Sequence, residues 1–329
     1  MRILRSWQTL DPQDRSGVVA IGNFDGLHRG HAAVLDQARA IAAEQGAPFA
    51  VLTFEPHPRS YFQPGTPPFR LTPLRPKARQ LEAMGVDILY VLHFDADLAS
   101  KTAEAFIGDI LAGGLGARHV VVGYDFVFGK GRSGDGDLLE AHGARHGFGV
   151  TRVEQVAGAD GGAFSSTIIR GHLREGRPAE AARALGRLWE VEGHVTPGDQ
   201  RGRTIGFPTA NLHLSPGAFR PALGVYAVHV GIDGPNGTTW HTGAANLGRR
   251  PTVDGQGIVL EVHVFDFSGD LYARQVRVAF VEHLRPERRF DGLEALKAQI
   301  GRDCEQARAV LARPENALTA YPTPCAAQR

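Results

Sequence analysis

The chain has 329 residues, 43% hydrophobic and 22% charged, with a formal net charge of +1, an ordinary globular composition with material for about two domains. So even a charge balance excludes a general attraction to nucleic acid or an anionic membrane, and any phosphate the protein binds must be held locally. Cys304 and Cys325 are too few for a disulfide framework, the N-terminus lacks a signal peptide's apolar core and no apolar run is long enough to span a bilayer, which points to a cytoplasmic enzyme.

In the first half, apolar runs suited to strands (Val18 to Ile21, Ala50 to Phe54, Ile88 to His93, Val120 to Gly123, Val150 to Val153) alternate with helical patterns at His31 to Glu44, Lys77 to Met84, Ala103 to Ala112 and Asp137 to His146. Such alternation predicts a parallel sheet covered on both faces, with ligands beyond the carboxyl ends of its strands. The first strand-to-helix turn is GNFDGLHRGH, Gly22 to His31. Its glycines let backbone N–H groups approach an anion at the positive end of the following helix. His28 and His31 project from the start of that helix and can stabilise charge building on a phosphate. A bare H-x-x-H is also compatible with a zinc pair or a surface pair; the glycines, Asn23 and Asp25 tip the balance toward phosphate chemistry, although Asn23 and Asp25 also suit a plain Asx turn. Further on, Ser165 to Arg170 (SSTIIR) reads as a helix N-terminus with capping hydroxyls.

From about Gly186 the texture changes. Strand-like stretches at Trp189 to Val195, Gly224 to Gly231, Thr238 to Ala245, Val259 to Phe267 and Gln275 to Val281 follow one another across Gly/Pro-rich turns, which predicts an antiparallel barrel or sandwich. Between the first two lies Gly202 to Leu212 (GRTIGFPTANL), where a glycine-rich loop leads to a hydroxyl and an amide suited to a metal-bound phosphate. Period-two alternation sets Glu261, His263 and Phe265 on one strand face and Val262 and Val264 on the other. A final helix is signalled by Asp291 with Glu294, and by an apolar stripe of Leu293, Leu296, Ile300, Cys304, Ala307 and Val310 that reads as core packing.

These segments resemble a known family. GNFDGLHRGH is similar to the H-x-G-H motif of the nucleotidylyltransferase superfamily, in the form found in the FMN adenylyltransferase half of bacterial bifunctional riboflavin kinase/FAD synthetases. TFEPHP (Thr53 to Pro58), VGYDFVFGKGRSGD (Val122 to Asp135) and SSTIIR follow in the family's order. GFPTANL resembles the riboflavin kinase motif, and GVYAV, NLGRRPT and LEVHVFDFSGDLY (Leu260 to Tyr272) continue it. The resemblance implies a Rossmann-like α/β nucleotidylyltransferase domain over residues 1–185, an all-β riboflavin kinase barrel with a C-terminal helix over 186–312, and a loosely structured tail over 313–329.

In function, it implies ATP-dependent phosphorylation of riboflavin to FMN by the barrel and adenylylation of FMN to FAD, with release of pyrophosphate, by the first domain. The alternative is an adenylyltransferase whose barrel binds flavin without catalysis. By resemblance, His28 and His31 act on the reacting phosphate, while Gly22, Asn23, Asp25, Ser166, Thr167 and Arg170 bind ATP, as do Gly202 and Gly206 in the barrel. Thr209 and Asn211 hold Mg2+, and Glu261 is the catalytic base, although a solvated strand glutamate reads the same way. Asp125 contacts ATP or FMN. His57 contacts the flavin or buttresses its loop, and Arg285 and Arg289 reach phosphate or ribityl oxygens or, like most exposed arginines, neither. The partners implied are riboflavin, FMN, FAD and ATP, with no nucleic acid, membrane or obligate protein. Four positions depart from the family pattern: Val127 stands where many relatives have Arg, Leu188 and Trp189 alter an L-G-R-P-Y form, and Ala273 replaces a common glycine.

Overall fold

The computed structural model describes residues 1–158, 162–196, 206–234, 237–250 and 257–318, which form two compact units. The first comprises Met1–Pro67 and Leu74–Ser165. Its strands are β1 (Arg2–Leu4), β2 (Val18–Ile21), β3 (Phe49–Glu55), β4 (Ile88–His93), β5 (His119–Gly123) and β6 (Gly149–Val153). They pair in parallel in the order β1-β4-β3-β2-β5-β6. The helices are α1 (Arg29–Gln45), α2 (Pro58–Phe62), α3 (Leu74–Ala83), α4 (Ala96–Ser100), α5 (Ala103–Ala105, continued by a π-helical stretch over Phe106–Gly114) and α6 (Gly136–His146).

Near-continuous runs such as VVAI are needed because both sheet faces are covered. Val19, Ile21, Leu52 and Val122 pack on one side with Ile107, Ile110 and Leu139. Val18, Ala20, Val51 and Val121 pack on the other with Val34, Leu35 and Ala38 of α1. The strand order reverses at β2, whose neighbours are β3 and β5, so a crevice opens beyond its carboxyl end. Every strand expected in this half forms within a residue or two of its expected bounds. β1 was not expected: three residues carry too little periodicity to register.

The second unit comprises Pro68–Pro73 and the chain from Ser166. Helices α7 (Ser166–Arg174) and α8 (Pro178–Leu185) precede a closed barrel of β7 (Trp189–Thr196), β8 (Ala210–Leu214), β9 (Gly224–Gly234), β10 (Gly237–Arg250), β11 (Gly257–Val264) and β12 (Gln275–Arg285), and α9 (Leu293–Leu311) packs on it. All neighbours are antiparallel, in the closed order β10-β11-β8-β7-β12-β9. The boundary expected at 185/186 falls inside this unit, because α7 packs on α8 and α8 packs on β7 and β12. Pro68–Pro73 joins it through backbone pairing of Arg70 with Ala218 and a hydrogen bond from Trp189 Nε1 to the Leu71 carbonyl (3.1 Å). Trp189 is thus a buried barrel residue tilted against Phe280 with ring centroids 5.1 Å apart, which absorbs one family departure as packing.

Two expectations are corrected here. The face that α9 buries is Gln299, Asp303, Ala307, Val310 and Leu311, while Leu293 is 58% exposed. Its N-cap is Gly292, with no side-chain cap. The start of the tail is also ordered: Asn316 donates to the Val310 carbonyl and its own carbonyl meets His229 Nε2 at 2.8 Å. Residues 319–329 lie outside the described residues.

Candidate active sites

In the α/β unit, β2 ends at Ile21 and the next seven residues turn the chain into α1. Phe24 (φ 46°), Gly26 (φ 91°) and Leu27 (φ 47°) adopt left-handed conformations. Such conformations are costly for residues with a Cβ, and burial of the Phe24 and Leu27 side chains holds them there. His28 is the N-cap of α1: its Nδ1 accepts the His31 amide at 3.3 Å. With Nδ1 so engaged, Nε2 is the ring nitrogen left to donate. The His28 and His31 rings stack with centroids 3.7 Å apart, and Phe24 meets His31 edge-on. Gly30 gives the His28 ring room, since a Cβ there would lie 3.2 Å from it, a tight contact. Two imidazoles are therefore fixed at a helix N-terminus, where the macrodipole and first-turn amides favour an anion. Asp25 is buried in the same loop, and Asn23 has an exposed side chain.

Other expected residues follow from their elements. His57 caps α2, its Nδ1 accepting the Arg59 amide at 3.1 Å, so it buttresses the loop after β3. Asp125 is exposed just beyond β5. Ser166 and Thr167 open α7 in the second unit, and the buried Arg170 approaches the Phe69 carbonyl and Thr167 Oγ1 at 3.5 Å each. Sequence reasoning missed an aromatic group at the carboxyl ends of β3 and β4: Phe54, Tyr61, Phe62 and Phe94 meet edge to face at 5.2–5.9 Å, with Phe62 64% exposed. Clustered phenylalanines beyond the strand ends were visible in the sequence as a composition, without a partner to give them meaning. Lys77, read only as the start of a helix, is buried with its ammonium 2.6 Å from the Asn23 carbonyl.

In the barrel the site is made by register. Asn211 on β8 lies opposite Glu261 on β11, which lies opposite Asn246 on β10. Their chain neighbours Leu212, Leu260 and Leu247 are fully buried inside the barrel, so these three polar side chains share its outer face. β8 was expected as loop; GFPTANL instead runs into a strand at Ala210, leaving Thr209 exposed at its mouth. Pro208 is tied over this face by His263, whose Nδ1 lies 2.8 Å from its carbonyl. Asn211 is 8% exposed, and its Oδ1 has no hydrogen-bond partner among the described residues. A buried unpartnered amide oxygen beside a carboxylate and a hydroxyl is a donor set suited to a hard divalent cation. Gly206 is exposed with φ 88°; Gly202 lies outside the described residues.

Arg285, expected as a flavin contact, is engaged within the barrel unit. Its guanidinium grips Asp303 on α9 bidentately (2.9 and 2.7 Å) and donates to the Pro286 carbonyl, while Gln299 Nε2 supplies a further bond to Asp303. It ties α9 to β12. Cys304, half-buried beside this pair, has its thiol pushed up to about 11, first by burial and then by Asp303, which suits packing and not thiolate chemistry.

A parallel sheet with a histidine pair at a βα turn, followed by a closed barrel with a carboxylate beside an amide oxygen, defines a two-site ATP-dependent transferase. Family models agree with both halves: residues 10–168 match the FAD synthetase model and residues 185–311 the riboflavin kinase model. The chain is 44% identical to a bifunctional riboflavin kinase/FMN adenylyltransferase of Pseudomonas fluorescens over 95% of its own length and 98% of that protein's. It is 42% identical to the protein of that name from Escherichia coli K12, over 92% and 96%. A crystal structure described as a macrolide-efflux protein from Streptococcus pneumoniae shares the fold, with a TM-score of 0.83, 31% identity, and coverage of 94% of this chain and 99% of that one. Among the described residues no helix is long and apolar enough to cross a membrane. The chain belongs to the bifunctional riboflavin kinase/FMN adenylyltransferase family and is a transferase of flavin cofactor biosynthesis with both enzymatic halves.

Proposed function

We propose that the barrel transfers the γ-phosphate of ATP to the riboflavin 5′-hydroxyl, giving FMN and ADP, and that the α/β site transfers AMP from a second ATP to FMN, giving FAD and pyrophosphate. In the first reaction Glu261 takes the hydroxyl proton as oxygen attacks the γ-phosphorus. Thr209 and Asn211 hold the divalent ion that accompanies ATP, and their all-oxygen character favours Mg2+. When bound, such an ion gathers the phosphates and offsets charge on the transferring group. Gly202 and Gly206 let the adjoining loop follow the phosphates.

In the second reaction the FMN phosphate attacks the α-phosphorus. His28 and His31 donate to its oxygens as charge builds, and Gly22, Asn23 and Asp25 shape the loop around the triphosphate. The exposed aromatic group around Phe62 is a platform for the flavin ring, with Asp125 and His57 at its approaches. Both reactions draw on ATP, in keeping with a cytoplasmic location.

The observation that supports this reading most is the buried Asn211 Oδ1 beside Glu261, which a barrel serving only to bind flavin has no use for. The test is a chromatographic time course with riboflavin, ATP and Mg2+. FMN followed by FAD is expected; riboflavin left unchanged while supplied FMN becomes FAD would return the barrel to a binding role.

A further inference from the structure

Lys77 is 1% exposed, although lysine is rarely fully buried and an ammonium removed from water needs compensating bonds. It lies on α3, separated in sequence from the phosphate loop by α1, β3 and α2, and its Nζ donates to the Asn23 carbonyl at 2.6 Å. The Thr53 hydroxyl, at the end of β3, approaches the same carbonyl and the same ammonium, at 3.4 Å each. Two elements outside the loop therefore converge on one carbonyl oxygen within it.

A trans peptide is planar, with its C=O and N–H on opposite edges. Fixing the Asn23 carbonyl on Lys77 consequently aims the Phe24 N–H away from the ammonium and sets the entry to the left-handed turn at Phe24, Gly26 and Leu27. That turn delivers Asp25 and His28.

We propose that Lys77 is a positioning residue of adenylyl transfer: its buried ammonium, through the Asn23 carbonyl, aims the loop that presents the His28/His31 pair to the α-phosphate. The inference rests on the FMN adenylylation proposed above and adds to it a residue that touches no substrate. A packing role would be served equally by methionine, which fills the same volume; positioning requires the donor.

The test uses the full chain, whose riboflavin kinase activity reports folding from the other unit. Lys77→Met is expected to lower kcat for FAD formation by about 10- to 100-fold, the range seen when a group orienting active-site ligands is removed. KM for FMN should stay within about threefold and riboflavin phosphorylation should be unchanged. Lys77→Arg, which keeps charge and donors, should recover part of the loss. FAD formation by folded Lys77→Met within about threefold of the parent overturns the proposal, as does an Arg variant no better than Met. If Lys77→Met fails to fold, Thr53→Val decides: a lower kcat at constant KM for FMN supports the proposal, and an unchanged kcat overturns it. Absence of FAD formation by the parent chain, or full activity of His28→Ala, would instead sink the adenylylation reading itself.

Discussion

In the α/β unit the histidine pair, the helix terminus and the glycine that clears the His28 ring all lie between Gly22 and His31. In the barrel, Asn211, Glu261 and Asn246 come from three strands and become neighbours only through antiparallel register. A βα turn is a local object, because strand end, loop and helix N-terminus are consecutive in the chain. A barrel face is a non-local one, since closure decides which residues sit side by side. The first site is therefore readable as a contiguous motif, and the second as scattered residues that need the fold to join them.

The sharpest way to break this comparison is to disable each site separately. Glu261→Gln keeps the shape but not the base, and FMN formation should fall about 10²- to 10⁴-fold while FAD formation from supplied FMN persists. His28→Ala removes both a donor and the N-cap, and should lower FAD formation about 10²- to 10³-fold while sparing the kinase. Measuring both activities of both variants by chromatography gives a two-by-two pattern. Equal losses in all four cells would mean that the two units do not act as separate sites.

The same contrast explains what the sequence left hidden. The strands of the α/β unit were legible because burial on both faces writes continuous apolar runs such as Val18 to Ile21. The stripe on α9 held at Ala307 and Val310 but misled at Leu293, because periodicity counts apolar residues, whereas the helix also buries Gln299 and Asp303 to meet Arg285 from β12. Lys77 was invisible for a related reason: a lysine opening an amphipathic helix reads as solvated until a carbonyl from elsewhere is found against its ammonium. Buried polar partners are pairwise facts, and one-dimensional patterns do not carry them.

Asp303→Ala tests that account on the barrel side. It leaves Arg285, 18% exposed, without its carboxylate. Breaking a buried pair typically costs about 3–5 kcal/mol, and partial exposure of the arginine puts the expectation near the lower end. Thermal inactivation of riboflavin phosphorylation should move to lower temperature. A loss below about 1 kcal/mol would mark the pair as a surface contact.

A smaller effect is shared by the two units. His119, 2.8 Å from Thr151 Oγ1 in the α/β unit, and His229, against the Asn316 carbonyl in the barrel, both have their pKa lowered by burial. The unfolded chain protonates these rings near the ordinary value of 6.5, where the folded one still resists. The unfolded state then binds more protons, so stability falls as pH drops below 6.5. Melting curves between that value and about pH 5, above the main carboxylate range, should show the decline, and His229→Asn should flatten it.

The smallest expected effect concerns Ala273, which by the resemblance stands where a glycine is common. Its φ is 58°, the left-handed region in which a Cβ crowds the following carbonyl at a cost of about 1–2 kcal/mol. The residue is exposed and its amide donates to the Val195 carbonyl at 3.0 Å, so backbone pairing between β7 and the turn before β12 holds the conformation while the side chain contributes little packing. Ala273→Gly relieves the crowding but makes the unfolded chain more flexible, which takes back about 0.4–1 kcal/mol. A net gain of about 0.5 kcal/mol is expected, read as a slight rise in denaturation midpoint at constant slope. A loss of stability would mean that the Ala273 methyl group makes a contact worth more than the strain it imposes, and the glycine common at this position would then need another explanation than its φ.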